Sequence, residues 1–124
     1  MVFDDGALVG FLDHRPVFPG HTLIIPRRHY ATLAELPDET AAALFVAGKQ
    51  VTGAARAALG AQGAFVALND EVSQSVPHVH LHVVPRRFKD GLRGFFWPRT
   101  RYESDDQAAS VAAALSAAMR SSTA

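Results

Sequence analysis

The amino-acid sequence predicts an α+β fold in which an antiparallel sheet of about five strands packs against helices. Short apolar segments bounded by turn residues recur between residues 2 and 84 and are typical of strands. Two longer segments, at 40–59 and at about 103–120, have the pattern and composition of helices. The chain has 124 residues, enough for one domain with a buried core. We therefore expect a single domain over residues 1–124 with a C-terminal helix at about 103–120.

The predicted strands share an apolar character and end at Gly, Pro or Asp. They are a pair within 2–13 that turns at 4–6, a short strand at 22–25, a strand at 63–68, and a strand that begins at Pro77. Pro77 has no backbone N–H to donate to a sheet, which places it at the start of the last strand. A wide loop should join the strands on either side of residues 14–21.

Residues 40–59 predict an amphipathic helix, preceded by a short helical turn at 32–36. Pro37 and the two acidic residues after it suit a helix start, and Gly60 suits its end. The C-terminal helix has Ser104 as its expected N-cap. The apolar stripe of the first helix recurs at three- and four-residue steps and consists of Leu44, Phe45, Gly48, Val51, Thr52, Ala55 and Leu59.

Three histidines alternate with apolar residues in the segment 78–85. Successive side chains of a strand point to opposite faces, so His78, His80 and His82 should share one face. Consecutive rings on that face lie about 6.6–6.8 Å apart along the strand. The intervening apolar residues share the other face and can be buried under a helix. A core packs better with valine or leucine than with histidine, so the row indicates a chemical role.

Three interpretations of this row compete at this stage. The histidines could lie on a solvated sheet face, or they could ligate a metal, for which imidazole is a common ligand. Alternatively, one histidine is a nucleophile and its neighbours manage protons and the leaving group. Residues elsewhere in the chain favour the third interpretation.

The segment His78–Val84 resembles the motif of the histidine-triad family, in which three histidines alternate with apolar residues and two apolar residues follow. The similarity covers about residues 3–99. Two further blocks carry it in the family's order: 13–16, 20–21, Pro26 and His29 upstream, and then Asn69 and 74–76. The resemblance implies a histidine-triad domain, a homodimer, and cleavage of nucleotide conjugates at the α-phosphate.

The resemblance also implies a role for each candidate catalytic residue. His80 would attack the α-phosphorus and form a covalent nucleotidyl-histidine, which water then hydrolyses. One nitrogen of His80 should donate to a backbone carbonyl, which leaves the other free to attack. His78 and His82 would hold phosphate oxygens and the leaving group, with His21 supporting them. Imidazolium character in the flanking rings would disfavour protonation of His80.

The substrate-binding candidates follow from the same resemblance. Asp13 would accept hydrogen bonds from the ribose hydroxyls. Asn69, Gln74 and Ser75 would donate to phosphate oxygens. The loop at 70–73 departs from the family, because it lacks glycine and is about two residues shorter than in relatives that cleave dinucleoside polyphosphates or phosphoramidates. This difference affects the polyphosphate end of the site.

A basic and aromatic segment follows the triad. Residues 86–101 contain six basic residues and one acidic residue, and include Arg93, Trp97 and Arg99. These three side chains are further candidates for binding extra phosphates or a second base. The alternative is that the segment packs on the core or across a dimer. If it lines the cleft, dinucleoside polyphosphates should be favoured over phosphoramidates.

The composition restricts which cofactors, binding partners and cellular location we expect for the protein. The chain has no cysteine, which excludes disulfides and cysteine-ligated metal, and fits a cytoplasmic location. We expect no metal at the triad and no tightly bound cofactor, although Mg²⁺ could accompany the substrate phosphates. A net charge of zero gives no general attraction to nucleic acid, and no apolar stretch is long enough for a membrane.

Two other functions remain open from the sequence. A nucleotide-binding regulatory module would use the same residues without turnover. A histidine-ligated metal hydrolase would use the row of imidazoles as ligands. Turnover of a nucleoside phosphoramidate and elemental analysis would distinguish these alternatives from a histidine-triad hydrolase.

Overall fold

Five strands and two helices make up the structure, a computed structural model that describes residues 1–93 and 98–122. The strands are β1 (Phe3–Asp4), β2 (Leu8–Leu12), β3 (Thr22–Pro26), β4 (Gly63–Ala67) and β5 (Leu81–Arg86). The helices are α1 (Asp38–Leu59) and α2 (Asp105–Ser122), and a 3₁₀ turn spans Leu33–Glu35. All neighbouring strands are antiparallel in the order β1-β2-β3-β5-β4. The predicted α+β fold with a five-stranded antiparallel sheet is confirmed.

The chain divides into two units, residues 1–91 and 92–124. The first contains the whole sheet and α1. The second contains α2, which begins after Ser104, whose Oγ accepts a hydrogen bond from the Gln107 N–H at 3.1 Å. Ser104 is therefore the N-cap, as predicted. Neither helix in the described part of the chain has the length and apolar character needed to cross a lipid bilayer.

The turn between β1 and β2 is built by side chains of its own residues. The Gly6 N–H donates to Asp4 Oδ1 at 2.9 Å, and the Leu8 N–H donates to Asp5 Oδ1 at 2.7 Å. Gly6 has a φ of 90°, a conformation that favours glycine. Short side-chain acceptors and one glycine are thus enough to reverse the chain here.

The core lies between one face of the sheet and α1. The buried residues of the helix are Leu44, Ala47, Gly48, Val51 and Ala55. Phe45 is 55% exposed and Leu59 is 46% exposed, so the predicted stripe is wrong at these two positions. Phe45 lies about 100° around the helix from Leu44 and so faces away from the sheet. Leu59 is the last residue of the helix, and it packs only in part.

The triad strand begins later than the sequence predicts. Pairing with β3 ends at Ile24 opposite Leu81, and pairing with β4 ends at Ala67 opposite His82. Residues 78–80 therefore precede the ladder. The Val79 N–H donates instead to the Tyr30 carbonyl at 2.7 Å, which holds this segment beside the end of β3.

Gly48 is the point of closest approach between α1 and the triad strand. A Cβ at this position would lie 2.9 Å from Leu81 Cδ2, and Leu81 is fully buried. A Cβ at Gly53, on the exposed side of the same helix, would meet nothing within 4 Å. The two glycines differ in their surroundings, although both lie in the helix interior.

This difference predicts opposite outcomes for one substitution. Gly53→Ala should raise the free energy of unfolding by about 0.5–1 kcal/mol, because alanine favours helix more than glycine does. Gly48→Ala gains the same propensity but crowds Leu81, so it should be less stable than Gly53→Ala by about 1–3 kcal/mol. Urea unfolding of both variants measures the difference. Equal stability would contradict the close approach at Gly48.

Candidate active site

A pocket of about 360 Å³ lies at the start of the triad strand. It is lined by Phe11, Asp13, His14, Leu23, Ile25, Ser75, Val76, His78, His80 and His82. The three triad rings thus face one cavity. Val79, Leu81 and Val83, the residues between and after them, are at most 1% exposed and belong to the core.

The register of β2, β3 and β5 places apolar side chains beside the histidines. Phe11 in β2 pairs with Leu23 in β3, and Leu23 pairs with His82 in β5. These three side chains therefore form one row across the face of the sheet. This row was not predicted from the sequence. The sequences of β2 and β3 are almost wholly apolar, so no alternation in them distinguishes the pocket face from the core face.

His80 has one nitrogen fixed by the backbone and the other available. Its Nδ1 lies 2.7 Å from the His78 carbonyl oxygen. A carbonyl can only accept a hydrogen bond, so Nδ1 carries the proton and donates it. In the neutral ring the lone pair is then on Nε2. The predicted backbone contact is present, and it selects the tautomer that a nucleophile requires.

The His78 ring contacts the backbone at both nitrogens. Nε2 donates to the Pro26 carbonyl at 2.8 Å, and Nδ1 accepts a long 3.4 Å bond from the Tyr30 N–H. His29 stacks on this ring with centroids 5.1 Å apart, and its Nε2 donates to the Pro77 carbonyl at 2.9 Å. In this arrangement His78 ties the triad segment to the end of β3, and it offers no free ring nitrogen to a phosphate.

His21 and His82 form a hydrogen-bonded pair. The Val17 N–H donates to His21 Nδ1 at 3.1 Å, so the proton of the neutral His21 ring is on Nε2. His21 Nε2 lies 3.0 Å from His82 Nδ1 and therefore donates to it. The proton of neutral His82 is consequently on Nε2.

The surroundings of both rings in the pair favour their neutral form. Burial lowers the pKa of His21, and the nearby Asp13 carboxylate opposes this effect. Burial also lowers the pKa of His82. A positive charge on His80 or on His21 would lower this pKa further, and the Asp13 carboxylate raises it. The expected imidazolium character of the flanking rings is therefore wrong for His82. Removal from water disfavours the charged form more than Asp13 favours it.

Asp13 stands where β2 ends and faces the same pocket. Its Oδ1 accepts from the Arg15 N–H at 2.9 Å, and its Oδ2 lies 3.8 Å from His21 Nε2. The side chain is 19% exposed, so lone pairs remain accessible from the pocket. His14, the next residue, has a 92% exposed side chain at the rim of the pocket.

The loop before the triad brings only one of its three predicted phosphate-binding residues to the pocket. Ser75 lines it. Gln74 instead bridges the loop, because its Nε2 donates to the Ala31 carbonyl at 2.7 Å and its Oε1 accepts from the Glu71 N–H at 2.8 Å. Asn69 is exposed after β4 and is not among the residues that line the pocket.

The backbone of this loop is strained at two residues. Glu71 has a φ of 64° and Ser73 a φ of 62°, both in the left-handed region that glycine normally occupies. Each such residue costs about 1–2 kcal/mol relative to ordinary helical backbone. The sequence lacks glycine here, and the loop closes with strained residues instead.

The basic segment after the triad lies partly outside the described residues. Trp97 is one of those not described. Arg93 and Arg99 are exposed and belong to the second unit, so their role at the pocket stays a prediction. In the first unit, Arg86 forms a bidentate ion pair with Asp90, at 2.6 and 2.9 Å.

Comparison with known proteins identifies the family. The family model described as "HIT domain" matches residues 1–89. The chain belongs to the HIT family. An uncharacterized HIT-like protein of Mycobacterium tuberculosis is 41% identical over 93 residues, which are 73% of this chain and 65% of that protein. This chain therefore spans slightly less than two thirds of that relative.

Two relatives have names that specify an activity. Adenylylsulfatase HINT3 of Arabidopsis thaliana is 32% identical over 73% of this chain and 47% of its own length. A bis(5′-nucleosyl)-tetraphosphatase of Schizosaccharomyces pombe is 33% identical over 64% of this chain and 45% of its own. Some members of the family are thus nucleotide hydrolases.

Solved structures of the family share the fold. A HIT family protein from Bacillus anthracis has a TM-score of 0.82 at 27% identity, covering 94% of this chain and 85% of its own. A zinc-bound histidine triad family protein from Mycobacterium smegmatis has a TM-score of 0.71 at 36% identity, covering 97% of this chain and 86% of its own.

The zinc of that relative raises the question of whether residues here fit a metal. Asp13, His21 and His82 have ligand atoms within 4.8 Å of one another. Metal binding at His21 Nε2 would require this nitrogen to lose its proton. The ring proton would then sit on Nδ1, facing the Val17 N–H at 3.1 Å. The cluster offers a proton where a metal needs a lone pair, and so it fits a metal poorly.

The neutral pair also predicts how stability depends on pH. In the folded protein the pKa of both rings is below the ordinary value of 6.5, so the unfolded chain binds more protons as the pH falls. Their stabilising contribution is therefore present above about pH 6.5 and lost on acidification through the folded pKa.

Urea unfolding at about pH 7.5 and about pH 5.5 tests this expectation. The loss of stability between the two should be smaller in a His21→Asn, His82→Asn double variant than in the wild type. His14→Asn, at an exposed ring, is the control and should keep the wild-type loss. A double variant that loses as much stability as the wild type would show that other groups are responsible.

Proposed function

We propose that the protein hydrolyses nucleotide conjugates at the α-phosphate through a covalent nucleotidyl-histidine on His80. One observation carries this proposal: His80 donates from Nδ1 to the His78 carbonyl, which leaves Nε2 unprotonated in a pocket. The family relationship supports it, since the two relatives named for an activity are hydrolases of nucleotide compounds.

The pocket suits a nucleotide in three adjoining regions. The apolar wall of Phe11, Leu23 and Ile25 can cover a base, because these side chains are apolar and half-buried and Phe11 offers an aromatic ring for stacking. Asp13 lies at the boundary between this wall and the histidines, where a carboxylate can accept from ribose hydroxyls. The α-phosphate would then reach His80, with Ser75 as a hydroxyl donor.

In the first step, the lone pair of His80 Nε2 forms a bond to the α-phosphorus while the bond to the leaving group breaks. The His80 ring gains a positive charge, which the Nδ1–H donation to the His78 carbonyl stabilises. His82 donates a hydrogen bond from Nε2 to the departing group. In the second step, water attacks phosphorus and the bond between phosphorus and His80 Nε2 breaks, so that its electron pair returns to the ring. The attacking water loses a proton to the solvent.

The protonation of His82 bears on the choice of substrate. A phosphate or sulfate leaving group departs as an anion and needs only hydrogen bonds. An amine leaving group must also acquire a proton, which a neutral imidazole does not readily supply. We therefore favour phosphoric anhydrides, such as dinucleoside polyphosphates, over phosphoramidates. The roles predicted for Arg93, Trp97 and Arg99 would strengthen this preference.

The proposal needs no cofactor bound to the protein, and Mg²⁺ would act on the phosphates of the substrate. The nucleotide is the proposed partner. The homodimer, the cytoplasmic location and the absence of nucleic-acid binding stay predictions.

His80→Ala should remove turnover and keep nucleotide binding. Loss of a covalent nucleophile should lower kcat by several orders of magnitude, as the roughly 10⁶-fold loss in a serine enzyme illustrates. Turnover is measured with a dinucleoside polyphosphate and with a fluorogenic nucleoside phosphoramidate, and binding by calorimetry with the nucleotide product. The matched control is His29→Gln, which lies outside the pocket lining and keeps a side-chain N–H that can donate to the Pro77 carbonyl.

More than a few per cent of wild-type activity in His80→Ala would contradict the covalent mechanism. Nucleotide binding without turnover in the wild type would indicate a regulatory module instead.

Removal of metals should leave turnover of the phosphoramidate unchanged. This substrate has a single phosphate, so an effect of Mg²⁺ on a polyphosphate does not complicate the assay. The reason for the expectation is the tautomer of His21, which presents Nε2–H to the cluster. Activity that a chelator abolishes and only zinc restores would establish a metal hydrolase.

A further inference from the structure

We propose that the backbone N–H of Val17 is a positioning group for the reaction, because it fixes which nitrogen of His82 carries a proton. This inference rests on the proposed function for its consequence in catalysis. The hydrogen-bond arrangement itself can be tested without any turnover.

The first step of the argument is the direction of two consecutive hydrogen bonds. A backbone N–H can only donate, so His21 Nδ1, 3.1 Å from the Val17 nitrogen, must accept. His21 then has its proton on Nε2 and donates to His82 Nδ1 at 3.0 Å. His82 is left with its proton on Nε2. Reversal of the second bond would place two N–H groups against each other at Val17.

The second step is that the loop holds the Val17 N–H in place. Arg15 N–H donates to Asp13 Oδ1 at 2.9 Å, and His21 N–H donates to the Phe18 carbonyl at 3.0 Å. Pro16 restricts the backbone before Val17. The loop is therefore anchored on both sides of Val17.

Gly20 is the last residue of this loop before His21, and its surroundings restrict the conformations that the loop can adopt. It has a φ of 95°, and a Cβ there would lie 2.6 Å from Leu59 Cδ1. The Gly20 carbonyl accepts from Thr22 Oγ1 at 2.9 Å. His21 itself is only 4% exposed, so water cannot readily replace the Val17 N–H. The donor is thus supplied by loop geometry, and the side chain of Val17, which is 51% exposed, takes no part.

The third step is the chemical consequence. A second proton on His82 would have to occupy Nδ1, where it would meet the Nε2–H of His21. The arrangement therefore keeps His82 as a neutral donor toward the leaving group. It favours leaving groups that depart as anions, and it disfavours amines, which need a proton as the P–N bond breaks. Val17 thereby contributes to leaving-group specificity through its backbone alone.

Nuclear magnetic resonance of the ¹⁵N-labelled wild-type protein tests the arrangement directly. Scalar couplings across N–H···N hydrogen bonds should link Val17 N to His21 Nδ1 and His21 Nε2 to His82 Nδ1. The ¹⁵N shifts of His21 should show protonation at Nε2 only. A His21 ring protonated at Nδ1, or no coupling to Val17, would overturn the proposal whether or not the protein is active.

Val17→Pro tests the consequence, since proline lacks the N–H. We expect the coupling between His21 and His82 to weaken. The ratio of kcat/KM for phosphoramidate over dinucleoside polyphosphate should rise on the order of tenfold, because His82 could then accept a second proton more easily. Val17→Ala retains the N–H and should keep both couplings and the wild-type ratio. If Val17 had only a structural role, Val17→Pro would lower kcat/KM equally for both substrates and leave the ratio unchanged. That result would overturn the specificity claim.

An ester bond in place of the amide at Val17, introduced by protein ligation, removes the same N–H and keeps the valine side chain. It should reproduce the altered ratio, and it provides the test if proline disturbs the loop. An ester variant with the wild-type ratio would show that the Val17 N–H does not act on His82.

Discussion

Burial of Val79, Leu81 and Val83 beneath α1 is the constraint on which the rest of the site depends. Full burial of such side chains contributes about 1.5–3 kcal/mol each, far more than any single hydrogen bond among the histidines. Because side chains alternate along the chain, fixing this apolar face also fixes the direction of the three imidazoles. A shift by one residue would exchange the two faces and expose the core. The core therefore sets the geometry of the pocket.

Within that geometry, the hydrogen bonds of the four histidines determine which ring nitrogens carry protons. Backbone groups terminate the network: the Pro26 and His78 carbonyls accept from His78 and His80, and the Val17 N–H donates to His21. Backbone donors and acceptors do not titrate, so they assign protons without competing for them. The result is one ring with a free lone pair beside another that presents a proton. A hydrogen-bond acceptor and a hydrogen-bond donor are thereby produced from the same residue type.

Much of this could be predicted from the sequence, and the failures have identifiable causes. Alternation around His80 and the turns that bound the strands were sufficient for the sheet, because both depend on local rules. Phe45 was placed in the core because periodicity does not show how wide an arc of α1 the sheet covers. Gln74 was expected at a phosphate, but its amide closes the loop, a contact with Ala31 that is distant in sequence. The lowered pKa of His82 depends on burial, which a sequence pattern does not quantify.

The left-handed residues of the loop before the triad have a consequence for how such a site can diverge. Glu71 and Ser73 occupy conformations that most side chains resist, while Ser75, two residues further on, lines the pocket. An insertion in this loop would relax the backbone and at the same time displace the hydroxyl that the substrate would meet. The length of this loop and the position of Ser75 in the pocket are therefore linked. A change in loop length would therefore reshape this side of the pocket without altering any histidine.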